Sequence, residues 1–386
     1  MSGAVSGGRS TGGILYKKGS GTLTLGGNNT FASQLILNEG TLRVLGSSAL
    51  GSSAATTRIL GQTATPKLEL TGGAFVGETL EVEARNGAAL DAPAIINVSG
   101  TNTLGAVQGR SAGLGTDFNI ESAGGTLTIQ SGISAFVAGT RIKLSGAGNG
   151  AVGIVSGSAA LVKTGSGTWT LNSANTYSGA TIVVAGTLAL GPNGRFSALG
   201  PSIDVQAGAV LDVSAVTGGA TITQPLKGTG TIVGNVASTQ LAPGASPGTL
   251  TFANDLSLAG VNTQLWWELN AADTTIGGGV NDLVAVGGNL TLDGRLDVAP
   301  TGSASFLNAT GGTWTLLTYG GTLNDAGLTF GTMPALGSGY VWRLNSGTGT
   351  ASAVTLSIVQ AIPEPSSFAA ALAMCGLALL RRRRKR

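Results

Sequence analysis

The chain has 386 residues, 65 of them glycine, with 42% hydrophobic and only 10% charged residues; an ordinary soluble domain carries roughly 25% charged residues and about 7% glycine. Short runs of Leu, Val, Ile and Thr recur throughout, which excludes a disordered chain poor in aliphatic residues and rich in charge. Arg381, Arg382, Arg383, Arg384, Lys385 and Arg386 supply much of the basic character; without them 15 of the 21 basic residues face 18 acidic ones, so the body carries no electrostatic footprint for nucleic acid. Histidine is absent, which removes the usual general base and the commonest metal ligand. The single Cys375 can form neither a disulfide within the chain nor a thiolate metal cluster. No cofactor and no metal are expected.

In chain order, the first 18 residues, MSGAVSGGRSTGGILYKK, contain no basic region followed by an apolar stretch of about 7 to 15 residues, so no secretory signal is readable there. An in-frame upstream extension carrying one is expected. Next come two stretches that align without a gap, KKGSGTLTLGGNNTFASQLILNEGTL at 17–42 and KTGSGTWTLNSANTYSGATIVVAGTL at 163–188. Shorter echoes are GGTLTIQSG at 124–132, GTGTIVGNV at 228–236 and GGNLTLDGRLDV at 287–298. In TLTL and TWTL the apolar residues alternate with threonine, the period-two signature of a strand with one buried face. Gly, Asn and Ser pairs interrupt each run and suit tight turns.

Strands are predicted from near Thr22, Gln34 and Thr41, and about three strands in each 25 to 35 residues would make one coil of a parallel β-helix. A β-sandwich is the competing fold. The near-identical long repeat, the turn residues at matching positions and the lack of a helical-period stretch before residue 366 favour the solenoid. Asn29 and Asn175 fall at one equivalent turn, where turn geometry or side-chain bonding along a stack is expected rather than ligand contact.

The two long stretches resemble the autotransporter-associated β-strand repeat, with wording close to K-x-G-x-G-T-L-T-L-x-G-x-N-T-Y-x-G-x-T-x-V-x-x-G-T-L. LAPGASPGTLTFANDLSLAG at 241–260, with Asn281, Asp282, Leu283 and Val284 and the GNLTL after Gly287, resembles the passage that closes such arrays. The resemblance implies an all-β fold, a right-handed parallel β-helix, on or outside a bacterial cell. It divides the chain into a β-helix at 1–240, a closing solenoid region at 241–360 and a terminal segment at 361–386.

Candidate chemistry is sparse. Residues 148–153, GNGAVG, fit the dinucleotide pattern G-x-G-x-x-G, but no helix follows and no Asp or Glu occurs between Ser122 and Ile203. GGGVND at 277–282 departs from a calcium-binding nonapeptide at Val280 and reads as a loop. A β-helical polysaccharide lyase or glycosidase needs a carboxylate pair; Asp204 with Asp212 and Asp293 with Asp297 are the candidates, though outward-facing solvated strand charges explain both. In QLWWELN one of Trp266 and Trp267 must point outward, where it could stack on a sugar ring. Trp169, Trp314 and Trp342 are expected mostly in core or interface.

The terminal segment runs Pro363, Glu364, Pro365, then an apolar stretch at 368–380, then Arg381 to Arg384, Lys385 and Arg386. As a helix the apolar stretch spans roughly 20 Å against a hydrocarbon core of about 30 Å, with Ser366 and Ser367 able to cap its start and the arginines able to snorkel. A short C-terminal transmembrane-like helix is expected. This order resembles the PEP-CTERM sorting signal. In that family the tripeptide is the recognition element for an exosortase-type membrane transpeptidase, and the basic cluster stops the chain in the inner membrane until processing. The expectation is therefore a non-enzymatic surface or matrix β-solenoid, with an exosortase-type transpeptidase, the inner membrane and an extracellular polysaccharide as partners. A polysaccharide-active enzyme and an autotransporter-like adhesin passenger are the alternatives; the second would need a membrane barrel of many alternating strands.

Overall fold

A computed structural model describes residues 13–61, 65–85, 91–110, 116–244, 247–260, 262–347 and 352–362. Strands of four or so residues end wherever Gly, Ser or Asn turns the chain, and each strand then pairs with the equivalent strand of the next coil. One parallel ladder runs from Ile14–Lys17 through Gln34–Leu37, Thr168–Leu171 and Thr187–Leu190 to Thr313–Tyr319. A second runs from Thr22–Leu25 through Thr41–Val44 and Ala160–Lys163 to Leu323–Phe330. The fold is an all-β parallel β-solenoid.

Alternation decides which residues line the core. In Thr168–Leu171 the threonines face outward while Trp169 and Leu171 are buried. In-register pairing then stacks inward residues into columns, one of which passes from Leu42 to Leu68 to Ile95 to Ile120 to Leu144. Each fully buried aliphatic side chain of this kind contributes roughly 1.5–3 kcal/mol, and because the columns run from coil to coil the core is continuous.

Coil length differs from the expectation of three strands in 25 to 35 residues. Thr22 is paired directly with Thr41, and Thr168 with Thr187, so the two Thr-Leu strands of one repeat are neighbours in a single ladder rather than separate faces of one coil. Two ladder strands, with short additional strands such as Thr176–Tyr177, complete a coil. Coils are 19 residues there, from Thr168 to Thr187, shorten to 15 from Leu226 to Leu241, and lengthen to 34 from Thr249 to Leu283. The two long repeats also sit on opposite ladders: Thr22–Leu25 belongs to the second, Thr168–Leu171 to the first.

The C-terminal end of the first ladder is closed by antiparallel pairing. Ala353–Gln360 lies between Thr313–Tyr319 and Tyr340–Ser346. Phe306, Trp314 and Trp342 pack edge to face there, with ring centroids 5.2–5.9 Å apart. The Trp314 indole donates to the Asn270 carbonyl at 2.9 Å and that of Trp342 to the Pro334 carbonyl at 3.0 Å. Among the described residues no helix is long and apolar enough to cross a membrane. The expected C-terminal helix lies outside the described residues.

Candidate binding cleft on the outer sheet face

The strand Gln264–Asn270, QLWWELN, alternates between the two sides of the second ladder: Leu265, Trp267 and Leu269 are buried, while Gln264, Trp266 and Glu268 face outward. An outward tryptophan in a strand requires neighbours that leave it room. On one side Leu241 pairs with Leu265, which carries Ala242 to Trp266, and Ala242 is itself beside Lys227. On the other side Trp266 pairs with Asp297 and Glu268 with Ala299. Small residues, Ala242, Gly244 and Ala299, thus alternate with the large or polar Lys227, Trp266, Glu268, Arg295 and Asp297, and together they line a cleft of about 710 Å³.

The polar groups of this cleft are held in place. Arg295 donates to Asp297 Oδ1 at 2.8 Å through Nη2, and the Thr332 backbone N–H donates to the same oxygen. Partial burial raises the Asp297 pKa, but the bonds from Arg295 and Thr332 outweigh it and hold the carboxyl below its usual range. Asp282 lies at the edge of the cleft and is itself buried. Burial pushes its carboxyl up to about 7, opposed by backbone N–H donors from Gly248 at 2.9 Å and Glu268 at 2.7 Å. Its partner in the loop, Asn281, accepts from the Asn270 N–H and donates to the Asp273 and Thr275 carbonyls. The 277–282 segment is a loop as expected, and Asn281 and Asp282 staple it to the coil. Among the described residues no group of three or more acidic, Cys or His side chains could hold a metal.

The structure separates the carboxylate candidates. Asp204 lies on the second ladder beside Lys227, and Asp212 on the first, where it accepts from the Ser214 N–H and hydroxyl. Asp293 and Asp297 share a strand face, but four residues of strand separate their Cα atoms by roughly 13 Å. Glycosidases hold their two carboxyl groups about 5–9.5 Å apart and free to act on the substrate, whereas the Asp297 carboxylate is turned to Arg295 and Thr332. Asp293 is also spoken for, accepting from the Gly260 and Gly294 N–H groups. The GNGAVG segment forms the strand Asn149–Val152, and a Cβ on Gly150 would come within 2.3 Å of the Trp169 ring. That glycine makes room for the indole; no cofactor loop is present there. Trp314 and Trp342 meet at the C-terminal closure, and Trp169 is core, as expected. The sorting residues Pro363, Glu364 and Pro365 and the basic cluster Arg381, Arg382, Arg383, Arg384, Lys385 and Arg386 lie outside the described residues.

A structural role for the repeat lysine could not be read from sequence alone. Lys17 and Lys163 occupy inward positions in columns of aliphatic residues; Lys163 stands between Leu144 and Val183. Each ammonium turns back to three carbonyls, two in its own turn and one in the turn of the next coil. For Lys17 these are Lys18, Gly19 and Glu39, at 2.6–3.0 Å. For Lys163 they are Thr164, Gly165 and Ala185, at 2.7–3.0 Å. The equivalent asparagines are likewise structural: both are buried, Asn29 donating to the Ala49 carbonyl and Asn175 accepting from the Val155 N–H and donating to Arg195.

Comparison with known proteins meets the same two regions. Residues 15–44 and 161–190 match the passenger-associated-transport-repeat. Over 95 residues the chain is 44% identical to the adhesin BmaC autotransporter of Brucella suis biovar 1 (strain 1330). That alignment covers 24% of this chain and 3% of the much longer relative. The two matched stretches are the ones that contain Lys17 and Lys163, whose ammonium groups cap the turns.

Proposed function

We propose that the chain is an exported, cell-surface β-solenoid of the adhesin-passenger kind, with no catalytic activity of its own. The observation that carries this reading is the pair of passenger-associated repeats at 15–44 and 161–190, folded as stacked coils with identical lysine staples. The likeness to an autotransporter adhesin supports it. Crossovers between parallel strands are right-handed in nearly all known cases, and the solenoid is assigned that hand. Protease treatment of intact cells of the source bacterium tests the location: the body should be cleaved while cytoplasmic markers survive, and full protection of the body would refute it.

The terminal segment supports a specific route to the surface. Pro363, Glu364 and Pro365 serve as the element that an exosortase-type transpeptidase recognises. The apolar stretch at 368–380 lodges in the inner membrane, and the six cations from Arg381 to Arg386 resist translocation. An extracellular polysaccharide is the class of polymer the released body would meet. Intact-mass analysis of the exported protein should show loss of the apolar-basic segment. Replacing Pro363 and Glu364 should trap the full-length form in the inner membrane. If wild type and that variant leave the cell equally, both retaining Arg386, the sorting route is wrong and the passenger reading stands without it.

A further inference from the structure

We infer that the cleft at Trp266 is a binding subsite for a neutral, hexose-containing glycan. Three independent features of the cleft meet on this ligand. The first is the indole itself. Outward positions on these ladders are mostly threonine, serine and charged residues, yet Trp266 projects among them while its chain neighbour Trp267 is buried in the core. An aromatic ring partly exposed on an otherwise polar sheet face is an apolar platform with no packing role inside the coil.

The second is the space beside it. Ala242 next to Trp266, Ala299 beside Glu268, and Gly244 in the same lining keep the sheet surface low in a region of about 710 Å³. Pockets of about 300–1,000 Å³ that pair an aromatic wall with a few placed polar groups are the usual size and make-up of small-ligand sites. A flat sugar ring fits between a raised indole and a floor of small side chains.

The third is the polar rim. Asp297 stands in register beside Trp266, kept ionised by Arg295 and Thr332, which both donate to its Oδ1 and leave Oδ2 as the acceptor at the edge of the ring. Glu268 and Gln264 flank the indole two residues away on the same strand face, and Lys227 faces it across Ala242. Two cations, Lys227 and Arg295, face two carboxylates, Glu268 and Asp297, with a third, Asp282, buried at the edge, so positive charge nowhere exceeds negative around the opening. That balance gives no pull toward an anionic polymer and provides both donors and acceptors for sugar hydroxyls.

This inference deepens the surface-adhesin reading and can be tested apart from it, because it concerns the purified chain wherever that chain resides. The full chain would be applied to a printed array of defined neutral and anionic oligosaccharides. Binding to neutral hexose-containing glycans is expected. Trp266→Ala should weaken it at least tenfold, while Phe136→Ala, which removes an exposed aromatic outside the cleft, should leave it unchanged. Ala242→Arg keeps the indole but fills the floor beside it, and should also abolish binding while urea denaturation shows the fold retained. No binding by wild type, equal binding by Trp266→Ala or Ala242→Arg, or binding confined to anionic glycans and lost at raised salt would each overturn the inference. If the array succeeds while intact cells protect the body from protease, the location is wrong and the subsite stands.

Discussion

Lys163 shows how one side chain can hold two coils together. Its stem fills a core position between Leu144 and Val183, and its ammonium satisfies three carbonyls that the turns would otherwise leave without donors. Burial pulls the amine down to about 8, so at neutral pH it is still protonated and able to serve all three acceptors. Lys163→Met keeps the stem and removes the donor. It should lower unfolding free energy by about 1–3 kcal/mol, the cost of orphaning buried carbonyls, as measured by urea denaturation. Lys17→Met should act in the same direction at the first repeat. A loss confined to Lys163 would mean that the staple matters only where neighbouring coils cover both sides.

The closing hairpin matters for a different reason. A parallel solenoid ends in a strand whose N–H and C=O groups face outward, an edge open to pairing with other chains. In the first ladder Ala353–Gln360 takes that edge of Thr313–Tyr319 in antiparallel register, with Thr313 opposite Ser357 and Trp314 opposite Leu356. The reversed direction keeps the added strand from templating a further parallel coil. Truncating the chain before Tyr340 removes both strands and the Trp342 contact with Phe306 and Trp314. The truncated protein should form concentration-dependent higher oligomers in size-exclusion chromatography, where the full chain at equal concentration shows markedly fewer. Equal behaviour of the two would show that the hairpin does not protect the end.

For the molecule as a whole, stability should fall as pH rises from about 5 to 8. Burial raises two carboxyls to about 7: Glu78, opposed by the Thr57 hydroxyl, and Asp282, opposed by the N–H groups of Gly248 and Glu268. Their folded values lie above the unfolded ones, so the native state binds more protons between about pH 4 and 7. The stability they contribute is fully present below about pH 4 and is lost as pH rises through 7, by roughly 3–5 kcal/mol each at about 1.4 kcal/mol per pKa unit. Carboxyls lowered by cations, such as Glu69 and Asp297, act on the acid side of this window, and the chain has no histidine to mask it. Glu78→Gln should reduce the slope of unfolding free energy between pH 5 and 8. An unchanged slope would show that Glu78 titrates normally.

Strand placement, the period of the alternation and the recurrence of one unit were legible in the residues themselves, because a Thr-Leu-Thr-Leu run bounded by glycine has few ways to bury its leucines. That one of Trp266 and Trp267 faces outward followed from the same alternation; that it is Trp266 came only with the structure. Coil length did not, since spacing along the chain cannot say which of several similar strands will be neighbours; the pairing of Thr22 with Thr41 settled it. The cleft was hidden for the same reason. Lys227, Ala242, Trp266 and Asp297 follow one another at intervals of 15 to 31 residues and form one row only when three successive pairings hold their register. The lysine staple was half visible, as a residue at a fixed repeat position, and its role came only with the next coil's carbonyl. Local sequence determined the strands and their buried faces; register between coils, which depends on the packing of the continuous core, decided which side chains meet.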